Sequence, residues 1–408
     1  MPEMGERTIA TDVGYDELGN IFVAGLLAEP VDFGSGTSVE NAYLISYAPN
    51  GSLRWVRSAT ADVLSLDIAV GAAGERVYVT GRGSAEGTSL AGVAVGSSYF
   101  LAVLDMDGTE ITARRLPGIG FALPSTEGVV VVGMSESAFD FGGGTEVPLA
   151  GTRDLYIATY DRDGTSTGAT TVGAAGTALT VEAAGEMGGG LHAVMFDAGG
   201  PFSWGGTPFL GDSHVLVVVD ATGSLRWSRE ISRVRGAGLR ATSLAAGDGQ
   251  LLISGELYEE QDLGGGPIGP APGDASECFV VATDLEGAFL WQRTISGFPD
   301  AGDGRCNSAR LDVLPDGSVL VGGAFNDMVS VGSGGLVAAP LASYLASFDR
   351  DGGLIYDRVI GAQSINRVAA GPSGLVFLAG SASGVVDLGS GPRSTGGTQA
   401  GFLLRLGE

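Results

Sequence analysis

Apolar residues in this chain come in short runs of four to eight, rich in Val, Leu and Ile, and each run ends at Gly, Asp, Asn or Ser. Residues 241–297 are typical. ATSLAAG is followed by a GDGQ turn, LLISGEL by a loop carrying QDLGGG, ECFVVATD by a tight LEG turn, and AFLWQRTI closes the stretch. Short β-branched runs bounded in this way predict strands and hairpins. No stretch carries a capped stripe with the 3.6-residue period of a helix.

The same four-strand phrase recurs. A Gly-rich motif appears as VDFGSG at 31–36, FDFGGG at 139–144, QDLGGG at 261–266 and VVDLGSG at 385–391. Its first Gly, with looser versions included, falls at Gly34, Gly96, Gly142, Gly205, Gly264, Gly332 and Gly389, about 59 residues apart on average. A second marker is a turn Gly after an apolar run, as in AVLDMDG at 102–108, ATYDRDG at 158–164 and ASFDRDG at 346–352. An aromatic often follows it by four residues: Trp55, Trp227, Trp291 and Tyr356. A third is a strand ending in Gly, such as RVYVTG at 76–81 and SVLVGG at 318–323.

Four antiparallel strands repeated seven times predict an all-β, seven-bladed β-propeller, because each sheet has two apolar faces and a ring covers them all. The units run approximately 8–59, 64–118, 119–173, 178–233, 241–297, 308–361 and 364–408, with no linker between them, so a single domain is expected. The seventh unit stops after its third strand, GFLLRLGE, and only Met1–Arg7 remains to supply a fourth. MPEMGER is a poor strand, so the last blade is expected to have three strands, or upstream residues to be missing.

The Gly-rich motif reads as a turn. Its acid, Asp32, Asp140, Asp262 or Asp387, is replaced by Ser203 and Ser330 in two units and by Ala94 in another. Asp and Ser both accept from nearby backbone N–H groups, but they are not equivalent metal ligands. Apolar neighbours on either side of the acid point away from it, and the glycines permit the return. The Asp105/Asp107, Asp161/Asp163 and Asp349/Asp351 pairs imitate the start of a calcium loop, but the next strand begins at once and the remaining ligands are missing. They read as hairpin turns, and no metal site is assigned.

Composition narrows function. A net charge of −25 with no basic cluster argues against nucleic acid or anionic lipid as a partner. All 22 basic residues are Arg, which removes Schiff-base and Walker-type lysine chemistry. Two histidines, His192 and His214, offer no His-rich metal set. No apolar run approaches the ~18 residues of a membrane helix, and residues 1–15 show no signal-peptide pattern. First strands of propellers line the central channel, which places Asp12, Asp67, Glu182, Arg310, Asp312 and Arg367 there as a charged lining of mixed sign.

The ordered set of DFGGG/DFGSG, the YVTG-type strand and the DxDG–Trp hairpin resembles the bacterial seven-bladed β-propeller repeat proteins, often secreted or surface-attached. VVVDATGSLRW at 217–227 is locally similar to quinoprotein-type propeller repeats, but seven units and no adjacent cysteines do not call for a quinone cofactor. A sialidase motif fails, since Trp follows Gly by four residues and not three. The resemblance implies a propeller outside the cytoplasm and carries over no catalytic residues and no cofactor. Cys278 opens a third strand and Cys306 precedes the next unit's first strand, on one face of the ring; with that compartment, a disulfide between them is expected. The chain therefore reads as a non-enzymatic scaffold for a protein or glycan partner, a monomer or a module of a larger surface protein. The alternative is an enzyme at the channel mouth, a lyase, hydrolase or quinoprotein-like catalyst.

Overall fold

The computed structural model describes residues 8–60, 63–71, 76–84, 88–90, 93–94, 98–232, 238–270, 276–297, 306–326, 328–331, 335–337, 342–371, 374–388 and 391–406. Met1–Arg7, Gly96, Gly332 and Gly389 lie outside them. Among the described residues there is no helix. The strands form seven antiparallel sheets, the blades of a propeller. Blade 1 comprises Thr8–Tyr15, Ile21–Leu27, Ala42–Tyr47 and Leu53–Ser58, paired in that order from channel to rim. Blade 2 comprises Val63–Val70, Val77–Gly83, Tyr99–Leu104 and Glu110–Leu116, and blade 3 Gly120–Ser125, Gly128–Ser135, Asp154–Asp161 and Ser166–Val172. Blade 4 comprises Leu179–Gly188, Leu191–Ala198, Ser213–Asp220 and Leu225–Ser232, and blade 5 Leu239–Gly247, Gln250–Leu257, Glu277–Asp284 and Phe289–Gly297. Blade 6 comprises Cys306–Val313, Val319–Phe325, Ala342–Phe348 and Leu354–Ile360. Among the described residues blade 7 has three strands, Ser364–Ala370, Val376–Asp387 and Pro392–Leu406.

The apolar residues form seven clusters, one between each pair of neighbouring blades. This explains why second and third strands are apolar throughout and not alternating. In blade 3, Val129 and Val131 pack toward blade 2 while Val130 and Val132 pack toward blade 4. Both faces of each sheet are buried, so both parities of the strand must be apolar. The ring closes where Asn366 Nδ2 donates to Ala10 O at 2.8 Å and Gly401 N donates to Thr8 Oγ1 at 2.6 Å.

The loops between second and third strands are more ordered than the sequence reading expected. Blades 2, 4, 5 and 6 fold them into two-stranded ribbons, for example Phe202–Trp204 with Thr207–Phe209. The ribbon of blade 6 continues the sheet of blade 5, where Ser296 and Gly297 pair with Ser330 and Val329. In blade 7 the equivalent segment merges into the sheet, so its last two strands form one long hairpin.

Candidate functional site

The first strands enclose a central cavity of about 1250 Å³, and Asp12, Asp67, Glu182, Arg310, Asp312 and Arg367 all line it. Most first strands carry a bulge, at Thr11, Leu64, Glu182, Thr242, Ser308–Ala309 and Asn366. A bulge leaves one residue unpaired and re-aims its side chain. Here Thr11, Glu182, Thr242 and Asn366 reach the neighbouring blade. Thr11 Oγ1 donates to Leu66 O at 2.8 Å, Thr242 Oγ1 donates to Ala309 O, and Ala241 N donates to Glu182 Oε2 at 2.9 Å.

Two aspartates make the same crossing. Asp12 accepts from Val13 N and from Ile68 N of blade 2, both at 2.8 Å. Asp312 accepts from Val313 N at 2.9 Å and from Ala370 N of blade 7 at 2.8 Å. Burial pushes the Asp312 carboxyl up, against the pull of those amides and of Arg367. Arg367 Nε lies 3.2 Å from Asp12 Oδ1, and the Asp12 charge raises the guanidinium further.

Asp67 and Arg310 are engaged less completely. Burial, and then the charge of Asp12, raise the Asp67 carboxyl to about 6, although the residue stays accessible from the channel. Arg310 donates from Nη1 to Thr242 O, while its Nε is buried and meets no partner among the described residues. Burial and the nearby Arg367 lower its guanidinium. Tyr15, raised to about 12 chiefly by burial, Arg240 and Tyr258 also line the cavity.

Sequence reading did not connect Glu182 with a histidine. His214 Nε2 lies 3.3 Å from Glu182 Oε1. Burial opposes charging His214, but the Glu182 carboxylate outweighs it and raises the imidazole. His192 is fully buried, neither ring nitrogen meets a partner among the described residues, and burial lowers it to about 4. It faces Val219 and Glu186 in the sheet and does not join His214 in a metal set.

The Gly-rich motif closes as an Asx turn. Asp32 Oδ1 accepts from Gly34 N at 2.9 Å and Gly36 N at 3.1 Å, and Asp140 and Asp262 repeat the pair. Asp387 accepts from Gly391 N at 3.1 Å. Gly34 and Gly36 have φ of 98° and 76°, which favours Gly. Val31, Phe33, Phe141 and Leu263 are buried beneath the acids. Ser203 differs: it pairs with Pro208 in its ribbon, and a Gly205–Gly206 turn with φ of 57° and 83° needs no side-chain acceptor. Ser330 pairs with Gly335 and Ser296, and Ala94 pairs with Ser89. Cys278 and Cys306 are joined by a disulfide between blades 5 and 6.

The outer strands latch the blades together. Trp55 Nε1 donates to Met106 O, Trp227 Nε1 to Leu285 O and Trp291 Nε1 to Arg350 O, at 2.9, 2.7 and 2.8 Å. Two residues on, Arg57, Arg229 and Arg293 donate to the turn carbonyls of Gly108, Gly287 and Gly352, and Arg114 donates to that of Gly164. The receiving turns are the DxxG hairpins, whose Asp accepts two turn amides, as Asp349 does from Asp351 N and Gly353 N. Latch and turn explain the spacing of the DxDG–Trp phrase.

Ring, latches and charged channel define a seven-bladed β-propeller. No family model matches the chain, and no curated protein matches it. Among solved structures it is similar to the Dos1 propeller, with a TM-score of 0.50 and 10% identity over 92% of this chain and 90% of that one. It is also similar to the WD40 β-propeller domain of Doa1, with a TM-score of 0.47 and 11% identity over 97% and 93%. A luciferin-regenerating enzyme matches with a TM-score of 0.39 and 11% identity over 100% and 94%. At such identities the likeness extends to the fold alone.

Proposed function

We propose that this protein is a binding scaffold for a protein or glycan partner and works outside the cytoplasm. The observation that carries this reading is the engagement of the channel carboxylates. Asp12, Glu182 and Asp312 each accept a backbone N–H of the next blade, so they hold the ring together. Side chains spent in this way are poor general acids or bases, which need a free path to a reacting proton. The face carrying the Asx turns and ribbons offers instead a rigid display of loops, the usual place for recognition. The Cys278–Cys306 bond supports an oxidising compartment.

The test is cross-linking from two positions on the intact protein in its native extract, with a photoreactive group at Ser35 on the ribbon face or at Asn50 on the opposite face. A specific adduct from Ser35 alone, unchanged by Asp67→Asn, is expected. Adducts that vanish with Asp67→Asn would overturn the reading.

A second reading rests on Asp67. Its carboxyl, at about 6, stands beside Arg310 in a cavity large enough for a small substrate. A carboxyl titrating near neutrality is suited to proton transfer. Turnover that is lost in Asp67→Asn and retained in Asp67→Glu would favour this enzyme reading.

A further inference from the structure

The charged residues of the channel form an ordered belt. Arg310, Arg367, Asp12 and Asp67 belong to blades 6, 7, 1 and 2, which are consecutive in the ring. All four stand at one level, each paired with the residue just before a glycine of its second strand: Gly322, Ala379, Ala24 and Thr80 respectively. At the same level blades 3, 4 and 5 carry Phe121, Ala183 and Ser243, which are uncharged. Two cations followed by two acids therefore occupy one side of the cavity wall, and a neutral surface occupies the other.

The two inner members of the run neutralise each other. Arg367 Nε lies 3.2 Å from Asp12 Oδ1, and Asp12 Oδ2 accepts Ile68 N. The two outer members are placed differently. Arg310 and Asp67 are three blades apart in a ring of seven, so they face each other across the channel and not along its wall. Arg310 Nη1 is engaged by Thr242 O, which leaves Nε and Nη2 without a partner among the described residues. Asp67 is exposed to the channel and accepts no hydrogen bond from a described residue. Its carboxyl is raised because the ionised form lacks compensation there.

Charge decides what such a site takes. A simple cation drawn to Asp67 meets Arg310 and Arg367, and a simple anion drawn to Arg310 meets Asp67 and Asp12. A molecule with one charge of each sign, at opposite ends, satisfies both walls. Arginine pairs a carboxylate through parallel N–H bonds, and a carboxylate pairs an ammonium. Phe121, half-buried on the blade next to Asp67, supplies apolar surface for the stretch between the charges. We propose that the channel binds a small linear zwitterion, an ω-amino acid or a short peptide held by its two termini, with its carboxylate on Arg310 and its ammonium on Asp67. The inference goes beyond the readings above, since it needs neither a partner on the ribbon face nor turnover.

The test is calorimetric titration of the full chain at pH 8 with ε-aminocaproate and with diglycine, against caproate and hexylamine, which each keep one of the two charges. Saturable binding of a zwitterion is expected, about tenfold or more tighter than that of either control. Tighter binding of ε-aminocaproate assigns the site to a free ω-amino acid, and tighter binding of diglycine to a peptide. Asp67→Asn and Arg310→Gln should each weaken the zwitterion about tenfold or more. Asp67→Asn is the decisive variant. Losing an unpaired charge should stabilise the fold at that pH, so lost binding cannot come from unfolding. No saturable binding of either zwitterion, equal binding of a control, or a zwitterion held by Asp67→Asn as by the parent would overturn the proposal. The scaffold reading would stand, since its cross-link from Ser35 is independent of Asp67.

Discussion

The carboxylate of Asp12 accepts the amide of Ile68 at 2.8 Å, a bond from the first strand of one blade to the first strand of the next. Asp12 is buried and is also held by its neighbour's amide and by Arg367. Replacing it with Ala leaves the Ile68 amide unpaired and the arginine without its closest anion. Breaking such a charge-assisted arrangement costs about 2–4 kcal/mol. Urea denaturation of Asp12→Ala should show a loss of that order, with Asp12→Asn intermediate. A change within ~0.5 kcal/mol would mean that the crossings contribute little to holding the ring.

The latches rank by occupancy. Trp291→Phe removes the donor to Arg350 O and should cost about 1–2 kcal/mol, and Trp291→Ala about 3–5 kcal/mol. Tyr356→Phe and Tyr356→Ala should cost far less, since that ring is 39% exposed. Equal losses at positions 291 and 356 would show that the Tyr356 ring is packed as tightly as that of Trp291.

The disulfide spans 28 residues and ties blade 5 to blade 6. Cross-linking a loop of that length stabilises by roughly 3–4 kcal/mol in the chain-entropy treatment. Melting with and without a reductant, and of the Cys278→Ser/Cys306→Ser double variant, should show a matching drop in Tm. An unchanged Tm under reduction would remove the main support for an oxidising compartment.

The fold was legible because its signals are local and repeated. The LEG turn and the AFLWQRTI strand predict a hairpin without knowledge of the rest of the chain, and sevenfold recurrence supplies the ring. The channel residues were legible as polar positions in first strands, Asp12 and Asp312 among them. What each one touches was not. The bulges at Thr11, Glu182, Thr242 and Asn366 follow from pairing registers, and the Glu182–His214 contact joins first and third strands. A polar residue recurring at one place in successive first strands was the available signal. Ser203 misled because Asp and Ser share a role only where the turn needs an acceptor, and Gly205–Gly206 does without one.

The two histidines should move acid stability in opposite directions. Burial lowers His192 to about 4, so between pH ~6.5 and 4 the unfolded chain takes up a proton that the folded chain refuses. Stability falls across that window, by roughly 3 kcal/mol at its foot. His192→Leu should flatten the acid limb of the stability curve and avoid burying two unpaired ring nitrogens. His214 is raised, so its contribution is present below about 6.5 and fades as pH rises through its folded value. His214→Gln should therefore lose most stability on the acid side. Chemical denaturation at several pH values separates the two, and identical curves for both variants would contradict the assignment.

Asp67 gives the clearest pH signature in the channel. Its carboxyl is raised to about 6, first by burial and then by the Asp12 charge, against ~3.9 in an unfolded chain. Between those values the folded protein keeps a proton that the unfolded chain has released. Stability attributable to this group therefore grows as pH falls from above 6 toward 4, and above pH 6 the ionised side chain works against the fold. Asp67→Asn removes the charge at every pH. The variant should be more stable than the parent at pH 8, and the gap should close as pH falls through 6. A gap that stays constant from pH 8 to 4 would mean that Asp67 is ionised throughout, which would also remove the observation behind the enzyme reading.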